Sequence, residues 1–395
     1  MNGSSEQRIT RYIFIVSFLV SAIVLIVLAV KQPLRSNIVF AFLWGIILAG
    51  GAIVLGRIHD RHQLFLRIAL LVSVFNCIIV PPEAYLRYTG FRYESGIQFG
   101  YPRPYQFSVF EPDEHLFWKF PPSQPGINRY GFPTREVTTS KPPGTFRILY
   151  IGNSCTFQGI PRFVEEDLQE RHAGIECLNF AVPGYTTYQG KVTLKLYLDE
   201  VDPDLVVASF GWNDRWLAYG EVDEDKQVRV SYNFTARALR AVYSKWRLLQ
   251  FFRRLLSPVL GRVEPLDVSR VPIGQFRANL AEIGDLCSVR GIPVIFATEP
   301  SAYPALGVPD YVVESGYAKS KESSSALYRA YNETMREVTG GRDGWHLIDL
   351  DAAISGRADV GELFKGDGIH FTGRGLELVA GIEARYIEEH ILTRH

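Results

Sequence analysis

Two long runs without a charged residue lie near the N-terminal end of the chain, at residues 12–30 and 36–56. A helix rises about 1.5 Å per residue, so each run can cross the roughly 30 Å hydrocarbon core of a bilayer. A third apolar segment, residues 64–80, contains Arg67, which can reach the headgroups if it lies near the start of a helix. The pattern predicts a membrane anchor of about three helices in residues 1–81, with the lipid bilayer as a partner.

Alternatives stay open for this end of the chain. The first run can be a cleaved signal peptide, because Arg8 and Arg11 precede it. Residues 64–80 can instead form a buried or re-entrant helix. With three crossings, the weak excess of positive charge on the cytoplasmic side places everything after Pro81 outside the cytoplasm, whereas two crossings place it inside. We expect a multi-pass protein of the cell (inner) membrane, with the soluble part extracytoplasmic.

Charge and composition exclude several classes of function. Lys plus Arg and Asp plus Glu each total 42, and this zero net charge argues against a nucleic-acid partner. The cysteines (Cys77, Cys155, Cys177 and Cys287) form no C-x-x-C pair, and the eight histidines form no ligand cluster. No nucleotide-binding loop, dinucleotide fingerprint or flavin motif is present, so we expect neither a metal nor a cofactor.

Residues 82–145 are rich in Pro, Tyr, Phe and Arg and show no sustained period, which predicts a connector packed on the edge of the next domain. Short apolar runs then alternate with helical stretches. The runs lie at residues 146–151, 175–180, 205–210, 293–297 and 346–350. The helical stretches lie near residues 160–172, 185–200, 273–290, 322–338 and 373–391. This alternation predicts an α/β domain at 146–395, with a parallel sheet covered on both faces.

Small polar residues follow the predicted strands. Ser154 comes after the first strand, Gly184 after the second and Asn213 after the third. Asp367 and His370 precede the last helix. Because ligands in open α/β sheets bind beyond the carboxyl ends of the strands, we expect these residues to meet on one rim.

The types and order of these blocks resemble the SGNH/GDSL hydrolase family over about residues 146–391, in the manner of membrane-anchored bacterial members. The resemblance implies a flavodoxin-like three-layer fold and a serine esterase, with Ser154 as nucleophile, His370 as base and Asp367 orienting the imidazole. It also implies an oxyanion hole formed by the N–H groups of Ser154 and Gly184 and the side-chain amide of Asn213.

Each residue also has a simpler interpretation. Ser154 can cap the following helix, Gly184 can be a turn glycine, Asn213 can bond its own loop, and His370 can be a surface residue. Two departures concern the nucleophile turn. Asn153 stands where the family usually has Asp, and Cys155, directly after Ser154, is interpreted as a small packed residue.

An insertion at 214–272 interrupts the strand–helix pattern. Residues 235–256 form a basic amphipathic stretch, which predicts a cap helix beside the active site or, as an alternative, a helix on an anionic membrane surface.

The leading hypothesis is an esterase that hydrolyses O-acyl groups, expected to be O-acetyl groups, on cell-surface glycans. The alternatives are an O-acyltransferase that modifies an exopolysaccharide or lipid, and a non-catalytic polysaccharide-binding module. The sequence indicates neither the natural ester nor the oligomeric state.

Overall fold

The computed structural model describes residues 3–31, 44, 78–93, 109–138, 140–228, 230, 233–260 and 265–394. The chain divides into two compact units. The smaller unit comprises Met1–Ser95, Arg103–Ser108 and Asn233–Gly261, and the larger comprises Gly96–Pro102, Val109–Tyr232 and Arg262–His395.

A five-stranded parallel sheet lies at the centre of the larger unit. The strands of the described residues are β1 (Glu111–Asp113), β2 (Phe117–Lys119), β3 (Phe146–Gly152), β4 (Ile175–Asn179), β5 (Leu205–Ser209), β6 (Leu217–Tyr219), β7 (Pro265–Ser269), β8 (Val294–Ala297) and β9 (Trp345–Ile348). The central sheet has the order β4-β3-β5-β8-β9, while β1-β2 and β6-β7 are small antiparallel pairs. This is the flavodoxin-like order, and the α/β part of the predicted fold class, with its central parallel sheet, is confirmed.

Helices cover both faces of the sheet. The described helices with defined bounds are α1 (Gly3–Lys31), α2 (Ser154–Phe157), α3 (Ile160–Gln169), α4 (Thr187–Val201), α5 (Phe234–Lys245), α6 (Arg247–Leu260), α7 (Ile273–Ser288), α8 (Tyr303–Leu306), α9 (Tyr311–Glu314), α10 (Lys321–Thr339), α11 (Leu350–Ile354), α12 (Val360–Leu363), α13 (Gly373–His390) and a 3₁₀ helix at Leu392–Arg394. Residues 78–88 are also helical. Helices α3 and α13 pack on the face that carries Ile148 and Tyr150. Helices α4, α7 and α10 pack on the face that carries Leu149 and Ile151.

The predicted strands and helices of the sheet domain are all present, within a few residues of their expected bounds. Strand β3 is buried on both faces, which explains why it appears in the sequence as a continuous apolar run. The last strand ends at Ile348, two residues before its predicted end. The carboxylate of Asp349 accepts the N–H of Ala352 and starts helix α11 there.

The segment 109–138, inside the predicted connector, contributes to the core of the larger unit. Strands β1 and β2 pair in it, and Phe117, Trp118 and Phe132 are buried in the same apolar cluster as Leu149 and Leu194. The connector therefore holds buried aromatic side chains, although the domain boundaries at 81 and 145 stay predictions.

Helix α1 contains the first uncharged run, so residues 12–30 are helical as predicted, whereas their crossing of a membrane stays a prediction. Nothing within the described part of the chain forms a helix with both the length and the apolar character that a membrane crossing requires. The second predicted span (36–56, apart from Trp44) and the third (64–80, up to residue 77) lie outside the described residues.

The basic stretch of the insertion forms two helices, so the prediction of a single helix over 235–256 is wrong. Helices α5 and α6 meet at Trp246, which has extended backbone angles (φ −97°, ψ 110°). Buried Glu83 accepts the first N–H groups of α6, and Arg87 donates to the last carbonyl of α5 while pairing with Glu83 at 2.7 Å. This ion pair satisfies backbone groups at the break, since both helix ends lack intrahelical partners there.

Candidate active site

Ser154 is the first residue of the short helix α2, on the turn that follows strand β3. Asn153 is the cap residue, and its Oδ1 accepts the N–H of Cys155 at 2.8 Å. Gly152 is required before it, because a Cβ there would lie 2.5 Å from Thr156 Oγ1. Ser154 is partly exposed while its neighbours are buried, so the turn presents one hydroxyl at the rim of the sheet.

His370 joins this hydroxyl to a carboxylate. Its Nε2 lies 2.8 Å from Ser154 Oγ, and its Nδ1 lies 2.6 Å from Asp367 Oδ2. The structure therefore brings the three predicted catalytic residues together across 216 residues of sequence separation. His370 bonds both partners, which excludes its interpretation as an isolated surface residue.

The carboxylate of Asp367 is itself held in place. Its Oδ1 accepts the backbone N–H groups of Ile369 and His370, each at 2.9 Å. Burial raises the pKa of Asp367, but the hydrogen bonds from the His370 side chain and these two N–H groups outweigh it and hold the pKa below its ordinary value. An ionised carboxylate at this position orients the imidazole with its Nε2 toward Ser154.

Cys155, although adjacent to Ser154, is not available as a nucleophile. Its thiol is buried, and Sγ lies 3.6 Å from the carbonyl oxygen of Ile369. Burial raises the pKa of the Cys155 thiol well above its usual range, so the reactive thiolate does not form at neutral pH. The interpretation of Cys155 as a packed small residue is confirmed.

Gly184 lies on the loop after β4, beside the nucleophile turn. Backbone contact between the loops is direct, because the N–H of Val182 donates to the carbonyl of Gly152 at 3.2 Å. Gly184 has φ +88°, and a Cβ there would lie 2.8 Å from Cζ2 of Trp118. Only glycine fits such a position without strain.

Asn213 lies on the loop after β5, the strand on the other side of β3. Its Nδ2 donates to the carbonyl of Tyr185 at 3.0 Å, so its amide bonds the Gly184 loop rather than its own loop. This bond uses one of the two N–H groups of the amide, and the second can donate to an oxyanion. All three residues predicted for the oxyanion hole therefore follow adjacent strands at one edge of the sheet.

Buried carboxylates beneath these loops were missed in the sequence. Asp214 accepts the N–H of Thr187 at 2.8 Å and the N–H of Gly211 at 3.1 Å, which connects the start of helix α4 to the Asn213 loop. Burial raises the pKa of Asp214 to about 7. The sequence signal that could have identified Asp214 is its position directly after Asn213.

Glu299 is a second buried carboxylate that was missed. It accepts hydrogen bonds from the side-chain amide of Asn153 and from the N–H of Trp212. Burial raises the pKa of Glu299 to about 8 against these bonds. Glu299 comes two residues after the end of strand β8. Because ligands bind beyond the carboxyl ends of parallel strands, this position also marks Glu299 as a candidate site residue.

The model of the GDSL-like lipase/acylhydrolase family matches residues 150–378, which is more than half of the chain. The chain belongs to the GDSL-like lipase/acylhydrolase family. The matched region contains each member of the Ser154–His370–Asp367 arrangement. As a family member, the protein is a GDSL-type esterase or acylhydrolase.

Several solved structures are similar to the chain at low sequence identity. A lipase/acylhydrolase from Enterococcus faecalis is 18% identical, with a TM-score of 0.41, covering 62% of this chain and 96% of its own. A GDSL-like lipase from Bacteroides thetaiotaomicron is 16% identical, with a TM-score of 0.40, covering 64% and 93%. An acetyl xylan esterase is 13% identical, with a TM-score of 0.37, covering 61% and 100%. No curated protein matches the sequence.

Proposed function

We propose that the protein is a serine esterase that removes O-acyl groups, in the first place O-acetyl groups, from cell-surface glycans. The observation that carries the proposal is the continuous hydrogen-bonded chain from Asp367 through His370 to Ser154. The family supplies the class of reaction, and these contacts supply a nucleophile with its base.

In the proposed mechanism, His370 Nε2 takes the proton of Ser154 Oγ as this oxygen attacks the ester carbonyl. Negative charge on the carbonyl oxygen is stabilised by the N–H groups of Ser154 and Gly184 and by the Asn213 amide. His370 then returns the proton to the departing alcohol oxygen, leaving an acyl group on Ser154. His370 then deprotonates a water molecule that attacks the acyl carbon; the bond to Ser154 Oγ breaks, His370 returns the proton to Oγ, and the carboxylic acid leaves.

A cavity of about 700 Å³ is lined by Tyr188, by charged and amide side chains (Glu114, Glu224, Asp225, Lys226 and Gln227) and by Val228 and Val230. This mainly polar lining suits sugar hydroxyls better than a long acyl chain. The lining includes no member of the Ser154–His370–Asp367 arrangement, so the cavity bears on the glycan and not on the ester group.

Hydrolysis of p-nitrophenyl acetate and p-nitrophenyl octanoate by the full chain tests the proposal. We expect turnover of the acetate, a loss of at least about 10³-fold in kcat for Ser154→Ala, and near-normal turnover for the adjacent control Cys155→Ala. Equal rates for wild type and Ser154→Ala contradict the serine mechanism. Turnover only when a glycan acceptor is added favours the acyltransferase, and glycan binding without turnover favours the binding module.

We also propose that residues 1–81 anchor the protein in the membrane, with the esterase outside the cytoplasm. The uncharged runs at 12–30 and 36–56 support this, together with the exposed apolar side chains of helix α1, such as Val16, Leu19 and Ile23. Sedimentation of the full chain with membranes at alkaline pH, compared with a chain lacking residues 1–81, tests the anchor. Protease digestion of spheroplasts, whose inner membrane is accessible from outside, tests the side: cleavage of the esterase supports the proposal, and protection contradicts it.

A further inference from the structure

We infer that Asn153 and Glu299 form one positioning unit, in which the carboxyl group of Glu299 holds the nucleophile turn through the side-chain amide of Asn153, the residue that stands where the family usually has aspartate. The inference rests on the proposed role of Ser154 as the nucleophile. It concerns residues that hold the nucleophile turn and do not themselves touch the ester.

The contacts of Glu299 reach both loops that approach the reacting atoms. One carboxylate oxygen, Oε1, accepts the Asn153 amide, and the other, Oε2, accepts the N–H of Trp212. Asn153 immediately precedes Ser154, and Trp212 immediately precedes Asn213. A single side chain therefore fixes the distance between the nucleophile turn and the loop that presents the oxyanion amide.

Glu299 is rigidly held where it makes these contacts. It is 3% exposed, and Asn332 brackets its backbone by accepting its N–H at 3.1 Å and donating to its carbonyl at 3.0 Å. A buried carboxylate is costly unless its oxygens are hydrogen-bonded, and here both oxygens have donors. Oε1 of Glu299 therefore requires a hydrogen-bond donor on the side chain of residue 153.

The two side chains are chemically matched. Asn153 uses its oxygen to cap helix α2 at the N–H of Cys155 and its nitrogen to reach Glu299. Aspartate at residue 153 would bring two buried carboxylates into contact. Glutamine at residue 299 would place its NH₂ group against the NH₂ group of Asn153 or against the N–H of Trp212. In either case two hydrogen-bond donors would face each other.

Exchanging both residues restores every bond. In the double variant, the new aspartate caps Cys155 with one oxygen and accepts the new glutamine's N–H with the other. The glutamine oxygen then accepts the N–H of Trp212. The double variant has one acidic and one amide side chain, as the wild type has, with their positions exchanged, so a rescue by the double variant reports the pairing itself.

The experiment compares wild type, Asn153→Asp, Glu299→Gln and Asn153→Asp/Glu299→Gln. Readouts are kcat and KM for p-nitrophenyl acetate, the rate at which a fluorophosphonate probe labels Ser154, and Tm. We expect each single variant to lose about 10- to 100-fold in kcat and in labelling rate, with KM within about threefold of wild type. We expect the double variant to recover to within about threefold of wild type.

The pairing is overturned if the losses of the single variants multiply in the double variant, or if neither single variant loses kcat. Should a single variant unfold, recovery of Tm in the double variant supports the pair, and a double variant that is no more stable overturns it. Failure of the proposed esterase function is recognised separately, by wild-type protein that turns over no ester. In that case the labelling rates of the four proteins still test the pair.

Discussion

Trp118 donates from its indole Nε1 to the carbonyl oxygen of Pro183 at 3.1 Å. This carbonyl belongs to the same peptide unit as the N–H of Gly184. In a trans peptide the two groups point in opposite directions, and the structure has no cis peptide in the residues that it describes. Trp118 therefore sets the direction of the Gly184 N–H, which the proposed mechanism uses as an oxyanion donor.

Trp118→Phe removes this donor but keeps an aromatic ring against Gly184. We expect kcat for p-nitrophenyl acetate to fall about 10-fold or more with little change in KM, because a misdirected N–H weakens transition-state stabilisation alone. The matched control is Trp345→Phe, which also loses a buried indole bond, to Ser288 Oγ at 2.8 Å, at the opposite edge of the sheet. An equal loss of kcat in both variants would contradict a role specific to the Gly184 peptide.

Asp367→Asn tests the orientation of His370. The asparagine oxygen can still accept the N–H groups of Ile369 and His370, so Tm should change by no more than a few degrees. The amide nitrogen opposes His370 Nδ1 and favours the wrong tautomer, so kcat should fall about 10³- to 10⁴-fold. Steady-state kinetics and thermal unfolding check this, with exposed Asp343→Asn as control. A variant that retains a tenth of wild-type kcat would contradict the role of Asp367.

Arg270 and Asp223 form a fully buried ion pair at 2.7 Å, and Arg270 also donates to the carbonyl of Gly184 at 2.9 Å. Arg270→Met removes the closer cation from buried Asp223, which keeps its ion pair with Lys226 at 3.3 Å, so we expect the free energy of unfolding to fall by up to about 3–5 kcal/mol. Arg270→Met/Asp223→Leu should recover part of this stability, because it removes the buried carboxylate but also the ion pair of Lys226 with Asp223. We expect its kcat to stay reduced, since the Gly184 carbonyl still lacks its donor. Urea unfolding measures the stability of the variants, and steady-state kinetics measure their kcat. Full recovery of kcat in the double variant would contradict the claim that Arg270 holds the Gly184 loop in place.

Glu383 makes stability depend on pH. Burial raises the pKa of Glu383 from 4.5 to about 8 in the folded chain. Between these values the unfolded chain has released the proton and the folded chain retains it, so the free energy of unfolding falls as pH rises through this window. We expect Glu383→Gln to be roughly 1–3 kcal/mol more stable than wild type at pH 9 and about equal at pH 4.

Urea unfolding at the two pH values measures this difference. Glu389→Gln, at an exposed position of the same helix, is the control and should follow wild type at both. A stability gain of Glu383→Gln that is the same at pH 4 and pH 9 would contradict titration of this carboxyl.

The sequence was sufficient to predict the sheet and the residues at its rim. Parallel strands that are buried on both faces appear as short apolar runs, and such runs located β3, β4 and β5 within one or two residues. Ser154, Gly184 and Asn213 could then be found in the segments that follow these strands, and the family resemblance gave their roles. His370 and Asp367 lie three residues apart, and local spacing alone made their contact plausible.

Residues that act through tertiary contacts could not be found in this way. Trp118 lies in a segment without periodicity, and its role depends on a carbonyl 65 residues further along the chain. Likewise, the break at Trp246 is stabilised by Glu83 and Arg87, more than 150 residues earlier in the chain. Helical spacing in 235–256 continues through the break, so no local signal marked it.

Trp118 precedes the central sheet in the chain, and this limits how far the enzyme can be shortened from its N-terminal end. A fragment trimmed to begin at strand β3 would keep the residues of the triad and the three oxyanion donors but lose the indole that orients one of them. The shortest fragment that keeps this indole and its strand pair therefore begins before β1, within the stretch that the sequence predicts to be a connector.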